Sequence, residues 1–445
     1  MTAFFRAYDV RGVYPHEIDL SVAERVGKGF GSEIGGSPVV VGRDGRQQAP
    51  EVSRALIDGI TATGTDVIDV GMVPTPVTRY ACTRSDVEGA AMVTASHNPP
   101  EYIGVKFTTG DGVAMSRETG MAAIQRRFEQ EDFATGAGSV TEHSMVEPYL
   151  NALLEPLDAA DVTVAVNFGH GVGATVAREF LERLGCSVIG IYETVDGSFP
   201  AHPPVPDHPD AVAAVERHLD EADLGICFDG DADRVGLVLP DYGPVSMDNL
   251  MAVYTDTCLA RMGSAVVHSL DTSQVVTHVA ETHNADTIET PVGFLHVAAV
   301  IADRTDVAFG GEPSGHFAFP SFGIPWDDGL FGAGLCCQLA SAGVLTETIE
   351  ALPTFPVSPT HRIPCPERCK EPVVEAVATA FEDYEQSRLD GVKTFFDDGW
   401  ALVRPSNTEP KLSARVEAQT QSAVDRIEAE LLGVIDDAVD ACTQA

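Results

Sequence analysis

Lysine is scarce in this sequence. It occurs five times, at Lys28, Lys106, Lys370, Lys393 and Lys411, and Lys+Arg together number 28 against 67 Asp+Glu. The formal net charge of −39 is spread along the chain and is not gathered into an acidic tail. Such a surface repels phosphate, which argues against nucleic-acid and anionic-membrane partners. It also repels itself in dilute salt. At molar salt the screening length falls to about 3 Å and most of that repulsion disappears. The balance reads as a cytoplasmic protein from a high-salt interior, of the halophilic archaeal kind.

Long apolar runs are missing too. No stretch reaches about 18 apolar residues, so no membrane span is expected. The N-terminus lacks the charged-then-apolar order of a signal peptide. The nine cysteines are scattered and odd in number. Cys186, Cys227, Cys258, Cys336 and Cys337 lie in apolar runs and read as small core residues. Cys365 and Cys369 are spaced for a disulfide or half a metal site, but no second pair is present, and both are expected as free thiols.

What is present is enough chain for two to four domains: 445 residues in which apolar strands alternate with helical periodicity. That alternation means α/β. Strands are expected at Phe4–Gly12, Val39–Val41, Asp66–Val70, Ile103–Phe107, Asp161–Val166, Ala265–His268, Val307–Phe309 and Trp400–Val403. Helices are expected at Glu51–Thr63, Val146–Leu154, Asp248–Met262, Pro372–Ser387 and Ser422–Val439. Val73-Pro74-Thr75-Pro76 reads as a turn, Asn167–Gly173 as a structural Gly-rich turn, and Pro353–Pro366 as a hinge. No residue-level repeat of fixed period is visible.

Four polar loops stand out. Thr94-Ala95-Ser96-His97-Asn98-Pro99-Pro100 follows the apolar run Gly89–Val93, and its prolines force a stiff turn at a strand end. Asp229-Gly230-Asp231-Ala232-Asp233-Arg234 follows Leu224–Phe228. Three alternating carboxylates need a cation, and oxygen donors suit Mg²⁺ or Ca²⁺. An EF-hand is excluded, because its sixth position would be Arg234 and its twelfth Pro240. Gly310-Gly311-Glu312-Pro313-Ser314-Gly315-His316 offers a carboxylate, a hydroxyl and an imidazole, a set suited to sugar hydroxyls. Arg404-Pro405-Ser406-Asn407-Thr408-Glu409-Pro410 offers a guanidinium, hydroxyls, an amide and backbone N–H groups, a set suited to phosphate.

In this order, and with Phe5-Arg6-Ala7-Tyr8-Asp9-Val10-Arg11-Gly12 at the start, the loops resemble the α-D-phosphohexomutase family over nearly the whole chain. The resemblance implies three similar α/β domains around a cleft plus a smaller C-terminal α+β domain. The corresponding segments are residues 1–144 with the serine loop, 145–243 with the metal loop, 244–356 with the sugar loop and 357–445 with the phosphate loop. It further implies phosphoryl transfer between Ser96 and a hexose phosphate, with a hexose bisphosphate as activator and intermediate. Mg²⁺ would be held by Asp229, Asp231, Asp233 and a phosphoserine oxygen on Ser96. Arg11, His97 and Lys106 become candidates for proton transfer or charge stabilisation. Tyr8, Arg11, Arg43 and Lys106 correspond to residues that face the site in the family, and Arg234, against the acidic loop, is a further substrate-binding candidate or a structural partner of that loop. Glu312, Ser314 and His316 would read the sugar, and Arg404, Ser406, Asn407 and Thr408 the distal phosphate.

The first strand and Asn407 point to mannose and glucose phosphates, with glucosamine phosphate as the alternative. Bacterial members use a lysine from the third domain, whereas this chain has no lysine between residues 107 and 369. The stretch Thr290–His296 looks closer to archaeal relatives. The family usually has Asn where Ile103 stands. A non-catalytic carbohydrate- or metal-binding member would have lost the serine or an aspartate, and all are present.

Overall fold

The computed structural model describes residues 4–6, 8–84, 86–406 and 410–444. Its first sheet holds β1 (Asp9–Val13), β2 (Val39–Arg43), β3 (Val67–Met72), β4 (Gly89–Val93), β5 (Tyr102–Thr109) and β6 (Val140–Glu142), in the order β1-β5-β4-β2-β3-β6. The second holds β7 (Thr163–Asn167), β8 (Ser187–Ile191), β9 (Leu224–Phe228), β10 (Val235–Leu239) and β11 (Gly243–Pro244), ordered β11-β10-β9-β7-β8. The third holds β12 (Ala265–Ser269), β13 (Asp286–Thr290), β14 (Val307–Gly311), β15 (Phe317–Phe319) and β16 (Ile324–Asp327), ordered β13-β12-β14-β15-β16.

One topology underlies all three sheets. Three parallel strands are followed by a fourth that returns antiparallel beside the third: β5 on β4, β10 on β9, β15 on β14. The third strands β4, β9 and β14 are buried along their whole length, as their continuous apolar sequences require. Each ends in one of the polar loops, at the carboxyl edge where α/β sheets place ligands. The recurrence is thus real at the level of topology, although the residues do not repeat.

Local chemistry sets the helices between the strands. Leu20–Ile34 starts where Asp19 accepts the Val22 N–H and stops at Gly35, whose φ of 75° suits glycine. Gly27 and Gly59 let it close onto the helix Ala49–Thr61, since a Cβ on Gly59 would lie 2.0 Å from Glu24 O. The expected turn at Val73–Pro76 is instead the start of a helix, Thr75–Arg84, with Pro76 in its first turn, where a missing N–H costs nothing.

The largest apolar core is shared by the first three domains. It joins Val40, Val77 and Tyr80 to Phe168 and Phe180 and to Phe309, Phe319 and Leu335. The fourth sheet is wholly antiparallel: β17 (His361–Pro364), β18 (Glu385–Ser387), β19 (Val392–Phe396), β20 (Gly399–Pro405) and β21 (Lys411–Ala418), ordered β17-β21-β20-β19-β18. It keeps its own core with the helices Lys370–Ala380 and Gln421–Gln444. The helix expected to reach Ser387 ends at Ala380, and Glu385–Ser387 pairs as an edge strand.

Cys369 is not a free thiol. It is bonded to Cys442, because the closing helix packs on Lys370–Ala380 and brings the two Cα atoms to 5.9 Å. Cys365 remains free and buried. Most of the expected hinge is pinned: Ser358 N–H bonds Val416 O and Ala418 N–H bonds Pro356 O. Among the described residues no single helix is long and apolar enough to cross a membrane.

Candidate active site

The three equivalent loops meet. Thr75 N–H donates to Asp231 O (3.0 Å) and its hydroxyl to Asp231 Oδ2 (2.6 Å), joining the first domain to the second. A Cβ on Gly230 would lie 2.6 Å from Ser96 O, so only glycine lets the serine and aspartate loops approach this closely. Arg234 and His316 form a backbone bridge that joins the second domain to the third.

Ser96 is buried and held in the left-handed region at φ 49°. Its N–H donates to Thr94 Oγ1 (2.9 Å) and its hydroxyl to Asp229 Oδ2 (3.0 Å). His97 Nδ1 is 3.4 Å from the same hydroxyl. Arg234, burial and the more distant cations Arg11, His316 and Lys106 push the His97 imidazole down to about 2, so it is neutral. Arg11 bonds Asn98 Oδ1 at 2.7 Å and pairs with Asp9 at 2.5 Å.

Lys106 reaches Asp231 Oδ2 at 2.8 Å and Asp233 Oδ2 at 2.6 Å. Burial alone would favour the neutral amine, but the two carboxylates override it and hold Lys106 as an ammonium. Burial and Asp233 press Asp231 upward, and Lys106 and Thr75 more than offset them, leaving its carboxyl below the usual range. Asp233 is held lower still against its burial, by Lys106, His316 and Arg234. Asp229 goes the other way: burial and the charges of Asp233 and Asp231 raise it well above the ordinary carboxylate value.

Asp231 Oδ1 and Asp233 Oδ1 are buried without a hydrogen-bond partner, and ligand atoms of Asp229, Asp231 and Asp233 lie within 4.8 Å of one another. Orphaned buried oxygens on three clustered carboxylates fit a divalent cation. Asp233, His316 and Asp327 form a second group of this span. Arg79 occupies Asp327 from 2.7 Å in that group, and one donor is an imidazole, so the all-oxygen trio suits Mg²⁺ better.

His316 is ringed by carboxylates. Its Nδ1 lies 3.1 Å from Glu312 Oε1 and 2.7 Å from Ser314 Oγ; its Nε2 lies 3.4 Å from Asp233 Oδ1 and 3.2 Å from Arg234 Nε. Burial and Arg234 oppose its charge, but Asp233 and Glu312 prevail and raise it to about 9. As an imidazolium it faces Asp233 Oδ1 as an ion pair and does not accept from Arg234. Glu312 Oε2 accepts the Gly293 N–H at 3.1 Å.

A cavity of about 540 Å³ opens over these groups. Ser96, His97, Lys106, Arg11, Tyr8, Asp233, Arg234, Glu312 and His316 line it, so the geometry brings together most of the residues singled out in the sequence. Burial, Glu312 and Asp9 raise the Tyr8 phenol, with Arg404 and Arg11 opposing. Arg43 is not in the lining. It sits within β2, and Asp44 is paired with Arg46 at 3.3 Å. Ser314 bonds the lining residues Glu312 and His316. Arg404 lies 3.3 Å from Asp390 Oδ2, beside but outside the lining. Ser406 N–H donates to Lys411 O (2.9 Å), and its carbonyl accepts from Lys370 Nζ (2.8 Å). Asn407 and Thr408 lie outside the described residues.

The sequence reading passed over Thr75, Arg79, Arg6 and Arg362, which also line the cavity. The Thr75 signal is hidden by its place between two prolines, and the Asp327 partner of Arg79 is 248 residues away.

This geometry has relatives. Models of the phosphoglucomutase/phosphomannomutase α/β/α domains I, II and III match residues 2–135, 145–243 and 246–354, and that of the C-terminal domain matches 362–434. The chain belongs to the phosphoglucomutase/phosphomannomutase family, the α-D-phosphohexomutases. It is 34% identical over 438 residues to the phosphomannomutase/phosphoglucomutase of Pseudomonas aeruginosa, covering 96% of this chain and 94% of that one. It is 32% identical over 448 residues to the "probable phosphoglucosamine mutase" of Methanopyrus kandleri, covering 98% of each. A phosphoglucomutase/phosphomannomutase family protein of Burkholderia thailandensis superposes with a TM-score of 0.92 at 30% identity, covering 98% of each chain. As a member of this family, the chain is an intramolecular phosphotransferase acting on phosphorylated hexoses, with a candidate metal site.

Proposed function

We propose that the protein interconverts hexose 1-phosphate and hexose 6-phosphate, with mannose and glucose as the sugars, through a phosphoserine at Ser96 and a hexose bisphosphate. The observation that carries this reading is the Ser96 hydroxyl bonded to Asp229 beside two orphaned carboxylate oxygens. In the transfer, the bond from phosphorus to Ser96 Oγ breaks and Oγ keeps the electron pair. A sugar hydroxyl oxygen bonds to phosphorus and gives its proton to a base in the site. The bisphosphate then turns over and returns its other phosphoryl group to Ser96.

Such a transfer depends on in-line positioning and charge neutralisation. Asp229, Asp231 and Asp233 would hold Mg²⁺ with an oxygen of the phosphorylated Ser96, and the ion when bound would neutralise charge on the transferring group. Lys106, locked as an ammonium by Asp231 and Asp233, is suited to stabilising equatorial oxygens. Arg11 and Arg234 offer further cations. His97 is neutral and so can accept a proton; Arg234 makes it a weak base, and the negative charge of bound phosphates would raise its basicity. Glu312, Ser314 and His316 form a hydrogen-bonded set able to read sugar hydroxyls. Tyr8 faces the same cavity. Arg404, with Ser406, Asn407 and Thr408, is the candidate grip for the phosphate that is not reacting.

Glucosamine phosphate is the second reading, favoured by the likeness to the Methanopyrus kandleri relative. The charge of −39 and the five lysines support a cytoplasmic protein working in high salt. Intact mass of the purified protein, before and after glucose 1,6-bisphosphate, tests for a phosphoryl adduct on Ser96. A panel of mannose, glucose and glucosamine 1-phosphates then separates the two substrate readings. An adduct with preferred turnover of mannose and glucose is expected. Absence of any adduct would remove the phosphoserine, and preferred glucosamine phosphate turnover would install the second reading.

A further inference from the structure

Arg46 lies outside the cavity lining, yet its guanidinium is spent on the serine loop. Its side chain has no solvent exposure. One terminal nitrogen donates to Pro99 O (2.7 Å) and Tyr102 O (3.0 Å), and the other to Ser96 O (2.7 Å) and Asn98 O (2.6 Å). Asp44 Oδ2 is 3.3 Å from Nε and balances the charge. Phe199, from the second domain, lies over the guanidinium with its ring centroid 5.2 Å away. Gln48 adds donors to Pro100 O (2.8 Å) and Tyr102 O (3.2 Å).

The loop needs such help. Within it, Asn98 N–H bonds Ala95 O and Tyr102 N–H bonds Pro99 O, while Pro99 and Pro100 have no N–H to offer. The Ser96 carbonyl is buried, and it and its loop neighbours find their donors in the Arg46 and Gln48 side chains. Ser96 itself sits at φ 49°, a conformation that a serine keeps only where its surroundings enforce it. A planar fork with parallel donors can span four carbonyls; an ammonium concentrates its donors on one atom and cannot.

We infer that Arg46 is the positioning residue that fixes Ser96 Oγ for phosphoryl transfer, clamping the serine loop by its carbonyls from behind. Phe199 extends the clamp to the metal loop, since its ring also lies 3.5 Å from where a Cβ on Gly230 would stand. The inference rests on Ser96 as the phosphorylated group, and the test keeps the two apart.

Full-length wild-type, Arg46→Lys, Gln48→Ala and Ser96→Ala proteins are compared for melting temperature, for kcat and KM on mannose 1-phosphate, and for the rate of phosphoryl uptake from glucose 1,6-bisphosphate by intact mass. In Arg46→Lys, kcat and uptake should both fall about a hundredfold, the scale of a misplaced reacting group. KM should stay within about twofold, because sugar and distal phosphate are held by other loops. Gln48→Ala should show the same split at about two- to tenfold, as for lost neutral hydrogen bonds. A folded Arg46→Lys with wild-type kcat and uptake, or one that raises KM alone, overturns the inference. If Arg46→Lys does not fold, an unchanged kcat in Gln48→Ala overturns it. Turnover by Ser96→Ala overturns the reading of Ser96 itself, a result distinct from an active Arg46→Lys.

Discussion

The first three domains and the fourth are assembled differently. The first three share one apolar core, and their loops touch through backbone: Thr75 on Asp231, Gly230 on Ser96, Arg234 against His316. The fourth has a separate core and meets the third through a small apolar cluster, Leu270, Trp400 and Leu402, rimmed by charge. Arg415 bonds Asp271 O at 2.6 Å and Asp248 Oδ2 at 2.7 Å, Lys393 pairs with Glu289 at 2.5 Å, and Gln274 N–H donates to Glu417 at 2.9 Å. Fused cores transmit strain and hold positions to fractions of an ångström. Small polar interfaces permit relative motion. On the proposed function, the reacting groups would thus sit on the rigid body, and the grip that must serve two orientations of one sugar on the docked domain.

Several measurements sharpen or break this contrast. The largest effect should come from Ser96→Ala, which is expected to abolish turnover even with bisphosphate present and to leave the melting temperature near wild type; retained turnover would break the assignment. Asp231→Asn should weaken Mg²⁺ binding, measured by calorimetry, by more than the roughly tenfold that loss of an outer partner of a ligand costs, with kcat falling alongside. Unaltered affinity would put the ion elsewhere. In the docked domain, Arg404→Ala should lower kcat/KM about ten- to a hundredfold, as for a lost charge-assisted hydrogen bond, by the same factor for mannose and glucose phosphates. Glu312→Ala should instead change the ratio between the two sugars. Arg415→Ala removes ties between third and fourth domains; it should enlarge the radius of gyration in solution scattering and raise KM severalfold. An unchanged radius would mean that the interface is stronger than its size implies. The smallest effect concerns the whole surface: melting temperature should rise between dilute buffer and molar KCl, and a salt-independent value would count against high-salt adaptation.

The sequence was most legible where one segment alone decides the structure. Buried strands such as Val39–Val41 and Ala265–His268 announce themselves by continuous apolar residues, and the helix Val146–Leu154 by its spacing. The Ser96 and Asp229–Asp233 loops were visible because their residue types have few other uses at strand ends. Partners distant in sequence were not visible. Arg43 looked like the arginine of its loop, but it is not among the residues lining the cavity, and Arg46, three residues on, reaches the serine loop. The Leu20–Ile34 helix went unread because its four small residues, Gly27, Gly29, Gly31 and Ser32, weaken the helical signal while serving close packing. Cys442 could not be matched to Cys369 without knowing that the last helix folds back.

The shared topology has a consequence for how such a protein can change over generations. On the proposed function, three copies of one scaffold present one loop each: nucleophile, ion and sugar reader. On that reading, a substitution at Glu312 or Ser314 would alter what is read while the serine and aspartate loops stay as they are; His316 is less free, because it also pairs with Asp233 of the second loop. Substrate preference is thus a trait separable from reaction type, and it can drift by editing a handful of positions. The same modularity leaves the first two copies little freedom, because Gly230 and Ser96 meet at a distance that tolerates no side chain.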